Sequence, residues 1–147
     1  MINMLETIEA SISVQEAAKK MREKRISSLL VLDSGNKPVG IITERDLVRK
    51  VCANDSSSKN TMVQDIMSDA LVTADALSEV GVAADIMMQN KVRHLLVVER
   101  GDITKPLGII TPTDFVGYLR ENLNMDDVNA KVLESLKEEE AKSDKYE

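Results

Sequence analysis

Apolar positions along this chain follow two rhythms in turn. Over residues 13–24, SVQEAAKKMREK, the residues Val14, Ala17, Ala18 and Met21 recur at helical spacing in a polar segment, which predicts a short amphipathic helix. Ser13 precedes it and Glu16 follows three residues later, the arrangement of a capping box. The rhythm then changes to an unbroken apolar run from Leu29 to Leu32, followed by turn chemistry in DSGNK and then by PVGII. That order reads as a strand, a turn and a second strand. Upstream, LETI (5–8) is a candidate short extended segment. Downstream, TERDLVRKVCA (43–53) can start another helix.

The second half repeats this order. EVGVAADIMMQNK (79–91) sets Val80, Ala83, Ala84 and Met87 at the same places, an offset of 66, although most polar residues have changed. LLVV (95–98), the turn ERGDITK, PLGII and TPTDFVGYLREN follow, with LVTA (71–74) as the extended segment upstream. GIITERDL (40–47) and GIITPTDF (108–115) lie 68 apart, because the second turn is two residues longer than the first, and a hairpin loop tolerates such an insertion. A repeat this long is two copies of one supersecondary unit, each reading strand, helix, strand, strand, helix. The fold class is therefore α+β, with an α/β-like order. Residues 3–53 form the first copy, 54–62 a polar connecting loop, 63–122 the second copy opened by VQDIMSD, and 123–147 a C-terminal extension. In that extension Val128, Val132, Leu133 and Leu136 share one helical face. The helix is expected to fray after about Leu136, leaving a solvated tail or a partner-binding segment.

Composition narrows the chemistry. With 19 Lys and Arg against 25 Asp and Glu the formal net charge is −6, which disfavours nucleic acid and anionic membranes as partners. Aromatics are 2% of the chain, so a bound base would have to lie between aliphatic side chains. The one cysteine, Cys52, rules out an internal disulfide framework, suggests a reducing compartment and is expected to be a packed helix residue. No apolar stretch is long enough to span a bilayer and MINMLETIEA lacks signal-peptide character, so the expectation is a soluble, cytoplasmic chain. His94 is the sole histidine. No histidine-rich metal site, catalytic triad, P-loop or dinucleotide fingerprint is present, and the expectation is no enzyme, no catalytic residue, no metal and no cofactor.

The repeated threonine and aspartate remain. As structure, Thr43 is an N-cap with Asp46 at the third helical position, and Thr111 with Asp114 does the same, with Pro112 at the position that tolerates proline best. The same geometry can also hold a ligand. Helix N-terminal N–H groups and a threonine hydroxyl suit a phosphate, an aspartate one turn on can accept both hydrogen bonds of a ribose cis-diol, and Gly40 and Gly108 allow close backbone approach.

Taken together, the two GIITxxD copies, LLVLD and LLVVE before them, VQDIMSD and the EAAKKM-type helices resemble a tandem pair of CBS domains over roughly residues 3–122. The resemblance implies a Bateman module: two βαββα units packed through their sheets about a pseudo-twofold axis, leaving two clefts. Such modules commonly bind AMP, ADP, ATP, S-adenosylmethionine or related adenosyl ligands and commonly form disc-shaped homodimers. The family's ribose aspartate and its neighbouring threonine match Asp46 with Thr43 and Asp114 with Thr111. KVRHLL (91–96) aligns with RISSLL (25–30), so Arg93 and His94 stand where Ser27 and Ser28 do, and these basic residues resemble phosphate contacts in some adenylate-binding members. Arg45 faces Thr113 across the alignment in the opposite sense. Two clefts of unequal affinity are expected, and spacing alone leaves open which basic residue serves which cleft. Adenine contacts are expected from Ile8, Ile26, Val92 and Ile109, with core packing as the alternative role of each. The leading expectation is a regulatory sensor that signals to an unknown protein partner. The alternative is a dimeric interaction protein with vestigial clefts that acts through its C-terminal helix.

Overall fold

The computed structural model describes residues 5–122 and 124–143. The chain divides between Thr111 and Pro112 into two compact units. The first unit holds β1 (Thr7–Glu9), α1 (Val14–Lys24), β2 (Ser28–Leu32), β3 (Pro38–Thr43), α2 (Glu44–Asp46), which continues as a π-helical segment (Leu47–Cys52), and α3 (Val63–Ile66). It goes on through β4 (Thr73–Asp75), α4 (Val80–Asn90), β5 (Leu95–Glu99) and β6 (Asp102–Ile110). The second unit holds α5 (Pro112–Asn122) and α6 (Met125–Ser143).

Ser13 caps α1, its hydroxyl accepting from Glu16 N–H at 3.3 Å, while the Glu16 carboxylate pairs with Lys19. The helix ends without a glycine. Arg25 takes a left-handed conformation at φ 55° and Lys91 closes α4 at φ 53°. In each case the next two N–H groups return to the last turn: Arg25 to Arg22 O and Ile26 to Met21 O, Lys91 to Met88 O and Val92 to Met87 O. These are paired Schellman closures, and they aim the chain into β2 and β5 in the same way.

Two three-stranded sheets follow, ordered β1-β2-β3 and β4-β5-β6, each with one parallel and one antiparallel pairing. Their registers correspond residue by residue: Thr7 with Leu30 and Thr73 with Leu96, Val31 with Gly40 and Val97 with Gly108. The two additional residues of the second hairpin are absorbed by bulges at Val97, Val98 and Glu99, so part of the expected turn ERGDITK is strand. Alternation sends β2 side chains to two cores. Leu29 and Val31 join Val14, Ala17, Met21, Ile42, Val51, Val63 and Ile66 beneath α1. Leu30 and Ile41 meet Leu96 and Val98, so the two sheets face one another.

Several expectations change. The first strands lie two residues further on than LETI and LVTA suggest. Ala18 and Val80 are exposed, because Val14, Ala17 and Met21 fill the buried face of α1 and Ala83 and Met87 that of α4. Cys52 is exposed rather than packed: the π-helical winding, with Ala53 N–H bonding to Val48 O five residues back, puts Val51 in the buried position. The last helix runs to Ser143 instead of giving out near Leu136. Its later residues, LKEEEAK, are strong helix formers with Glu138 four residues before Lys142. Val132, Leu133 and Leu136 are exposed on α6; the side chain of Val128 lies outside the described residues.

The backbone of residues 67–68 runs against β3, with Ile41 and Ser68 exchanging both backbone hydrogen bonds at 2.9 Å. This approach needs a glycine at position 40. A Cβ there would stand 2.6 Å from Ser68 O and 2.7 Å from Met67 Sδ. Gly40→Ala should therefore destabilise the protein by about 1–3 kcal/mol in urea or thermal unfolding. Gly81→Ala, inside α4 and with nothing within 4 Å of the added Cβ, should be neutral or stabilising by up to about 1 kcal/mol.

Candidate functional site

Beside the facing sheets lies a cavity of about 470 Å³, within the usual range for small-molecule sites. The turn from β3 into α2 supplies Thr43, Glu44, Arg45 and Asp46; the segment entering β5 supplies Lys91, Val92, Arg93 and His94. Ser27, Ser68 and the aliphatic residues Ile41, Ala70 and Val72 complete the lining. Residues of both halves of the duplication therefore share one cavity.

Thr43 and Asp46 form a complete capping box. Thr43 Oγ1 accepts from Asp46 N–H at 3.2 Å, while Asp46 Oδ2 accepts from both Thr43 N–H and Thr43 Oγ1–H at 3.0 Å. On its other side Asp46 Oδ1 pairs with Lys50 Nζ at 3.1 Å, and that ammonium also donates to Ile66 O at 2.9 Å. The carboxylate is thus held from two directions, with its side chain 13% exposed.

His94 Nε2 lies 3.3 Å from Ser27 Oγ, a contact between the two halves. Burial holds the imidazole below its ordinary pKa, and the neighbouring Arg93 lowers it further, while Asp46 acts in the opposite direction. Arg45, Lys91 and Arg93 form no ion pair among the described residues. The cavity therefore carries three cations outside any ion pair beside the carboxylates of Glu44 and Asp46. Among the described residues no group of acidic, histidine or cysteine side chains could hold a metal ion, and no helix is long and apolar enough to cross a membrane. What the site offers is a carboxylate acceptor, a hydroxyl and cations around an aliphatic floor.

Of the residues singled out from the sequence, Thr43, Arg45, Asp46, Val92, Arg93 and His94 come together here. Ile8 and Ile26 pack against the core under α1, and Ile109 packs between the sheets. None of these three lines the cavity. Thr111 closes the first unit and Thr113 and Asp114 open α5 in the second, and they too lie outside the lining. Sequence reasoning missed Ile41, Val72 and Lys91. Ile41 was within reach, because it stands two residues before Thr43 on the same strand and so shares its face. Lys91 and Val72 carry no such signal, since their places depend on the α4 closure and on the path of the chain before β4.

The CBS domain family matches residues 1–53 and 63–121. An uncharacterised protein of Methanopyrus kandleri is 38% identical over 101 residues, 69% of this chain and 50% of its own length. A 17.7 kDa protein of Acidianus ambivalens is 38% identical over 114 residues, covering 76% of this chain and 65% of that protein. The chain thus spans about half to two thirds of the length of these relatives. Among solved structures, an uncharacterised conserved protein of Pyrococcus horikoshii superposes with a TM-score of 0.75 at 30% identity, over 84% of this chain and 91% of the other. A putative signal-transduction protein with CBS domains from Burkholderia ambifaria gives 0.74 at 32% identity, over 82% and 85%. A CBS domain protein of Pyrobaculum aerophilum complexed with AMP shares the fold, at 0.68 and 22% identity over 78% and 85%. With two family matches in order, two sheets of one topology and these structural neighbours, the chain belongs to the CBS-domain family, as a tandem pair of such domains.

Proposed function

We propose that this chain is a cytoplasmic regulatory module that binds an adenine nucleotide or adenosyl ligand and passes on occupancy as a change in packing or partner affinity. One observation carries the reading: Asp46, Thr43 and three cations without ion pairs surround an aliphatic floor in one cavity. In this reading Asp46 accepts the ribose diol, and Thr43, Arg45, Arg93 and His94 meet the phosphates. Ile41, Val72 and Val92 hold the base. The AMP complex of the Pyrobaculum protein supports adenosine as the ligand class, and the single exposed cysteine fits a reducing compartment. Residues 3–53 and 63–122 act as the two repeats, joined by 54–62. Binding that favours one arrangement by about 1–3 kcal/mol suffices for regulation.

The exposed row Val132, Leu133 and Leu136 on α6 supports a second role for the extension, in homodimer formation or in docking a regulated protein. Leu133→Asp with Leu136→Asp should reduce the molar mass measured by light scattering to that of a monomer. An unchanged mass would remove the extension from the dimer contact.

A calorimetric and thermal-shift panel of AMP, ADP, ATP, S-adenosylmethionine and NAD tests the ligand reading. Asp46→Asn should weaken binding at this cavity by about 10–100-fold, and Asp114→Asn should leave that binding event unchanged. Silence across the whole panel, or wild-type affinity in Asp46→Asn, would reject the assignment.

Acidity gives an independent readout. His94 faces Arg93, Lys91 and Arg45 as cations and Asp46 and Glu44 as anions. Its lowered pKa leaves it neutral in the empty site near pH 7, and a bound phosphate favours the protonated form. Phosphate binding is then coupled to proton uptake, so affinity should rise as pH is lowered from neutrality toward the depressed pKa of the empty site. His94→Gln should lose that slope relative to wild type. Equal pH dependence in the two proteins would place His94 outside the phosphate contacts.

A further inference from the structure

The Asp46 carboxylate is largely occupied before any ligand arrives. Oδ2 accepts from the backbone and the hydroxyl of Thr43, and Oδ1 accepts from Lys50. A carboxylate offers about four acceptor positions. One is left, whereas a cis-diol donates two hydrogen bonds. Room can be made at small cost by the Thr43 hydroxyl, which rotates freely and can turn its proton away while still accepting from Asp46 N–H at 3.2 Å. Lys50 is anchored differently. Its ammonium bridges Asp46 Oδ1 at 3.1 Å and Ile66 O at 2.9 Å, so it is fixed at both ends between the π-helical segment and α3, and it does not line the cavity itself.

We propose that Lys50 is a positioning residue for the ligand: by clamping Asp46 Oδ1 to the carbonyl of Ile66 it sets the plane of the carboxylate and directs the remaining acceptor positions at the diol. The proposal rests on the ribose reading of Asp46. Its consequence is confined to the sugar, because Lys50 touches the ligand only through that carboxylate.

The test compares ATP with 2′,3′-dideoxy-ATP by calorimetry on the full chain, in wild type, Lys50→Met and Lys50→Arg. Wild type should prefer the diol by about tenfold or more, the scale of hydrogen bonds to a charged group. Lys50→Met should reduce the preference to about twofold, while Lys50→Arg, which keeps a cationic donor within reach, should retain most of it. Both ligands are measured on the same protein and carry the same triphosphate, so a general loss of stability or of positive charge cancels in the ratio. A wild-type ratio preserved in Lys50→Met would overturn the role of Lys50. Equal affinity for the two ligands in wild type would instead reject the ribose reading itself, and Lys50 with it.

Discussion

Burial of β2 and β5 on both faces is the constraint from which the first unit follows. Leu29, Leu30 and Val31, and Leu95, Leu96, Val97 and Val98, are all at most 2% exposed. A strand in that position needs an apolar side chain at each step, which is why LLVL and LLVV read as unbroken runs. Odd and even positions must then find different partners. In the first half one set packs under α1 and the other meets the opposite sheet. The sheet-facing contact among Leu30, Ile41, Leu96 and Val98 brings the β3–α2 turn of the first half near the α4–β5 entry of the second. The cavity lies where those two irregular stretches approach each other.

At that place the demands of folding shape the candidate site. The capping box satisfies the first turn of α2, and in doing so it orders a hydroxyl and a carboxylate side by side. Gly40 contributes from the strand: only a residue without Cβ lets the backbone of 67–68 bond to Ile41. That bond carries Ser68, and Ala70 just beyond it, to the cavity wall. The residues that make the site are therefore also those that join the first half to the chain leading into the second.

Much of this was legible because duplication presents each pattern twice. Strand, helix, strand, strand, helix followed from periodicity and turn chemistry, and the change of offset from 66 to 68 located the hairpin insertion that the bulges at Val97, Val98 and Glu99 absorb. What escaped depended on geometry that no spacing encodes. The Schellman closures at Arg25 and Lys91 lack the glycine that marks such ends. The π-helical segment looks in sequence like an ordinary helix, and it moves Val51 inward and Cys52 outward. Lys50 is one of many lysines on helix surfaces, and its contact with Ile66 O crosses between elements 16 residues apart.

The isoleucines show how far a repeat can be trusted. Ile41 and Ile109 occupy equivalent strand positions, yet Ile41 lines the cavity and Ile109 does not. Equivalent residues keep the same backbone register, but the surroundings of a register position depend on what the other half brings to it. The first copy of the motif meets Lys91, Arg93 and His94, whereas the positions aligned with Arg93 and His94 in the first half are Ser27 and Ser28. Ser28 is an uncharged strand residue, paired with Thr43 and 9% exposed, so the first half offers no cation at this position. The two copies thus differ in chemistry at the strand entrances, where polar side chains escape the packing that keeps both sheets alike.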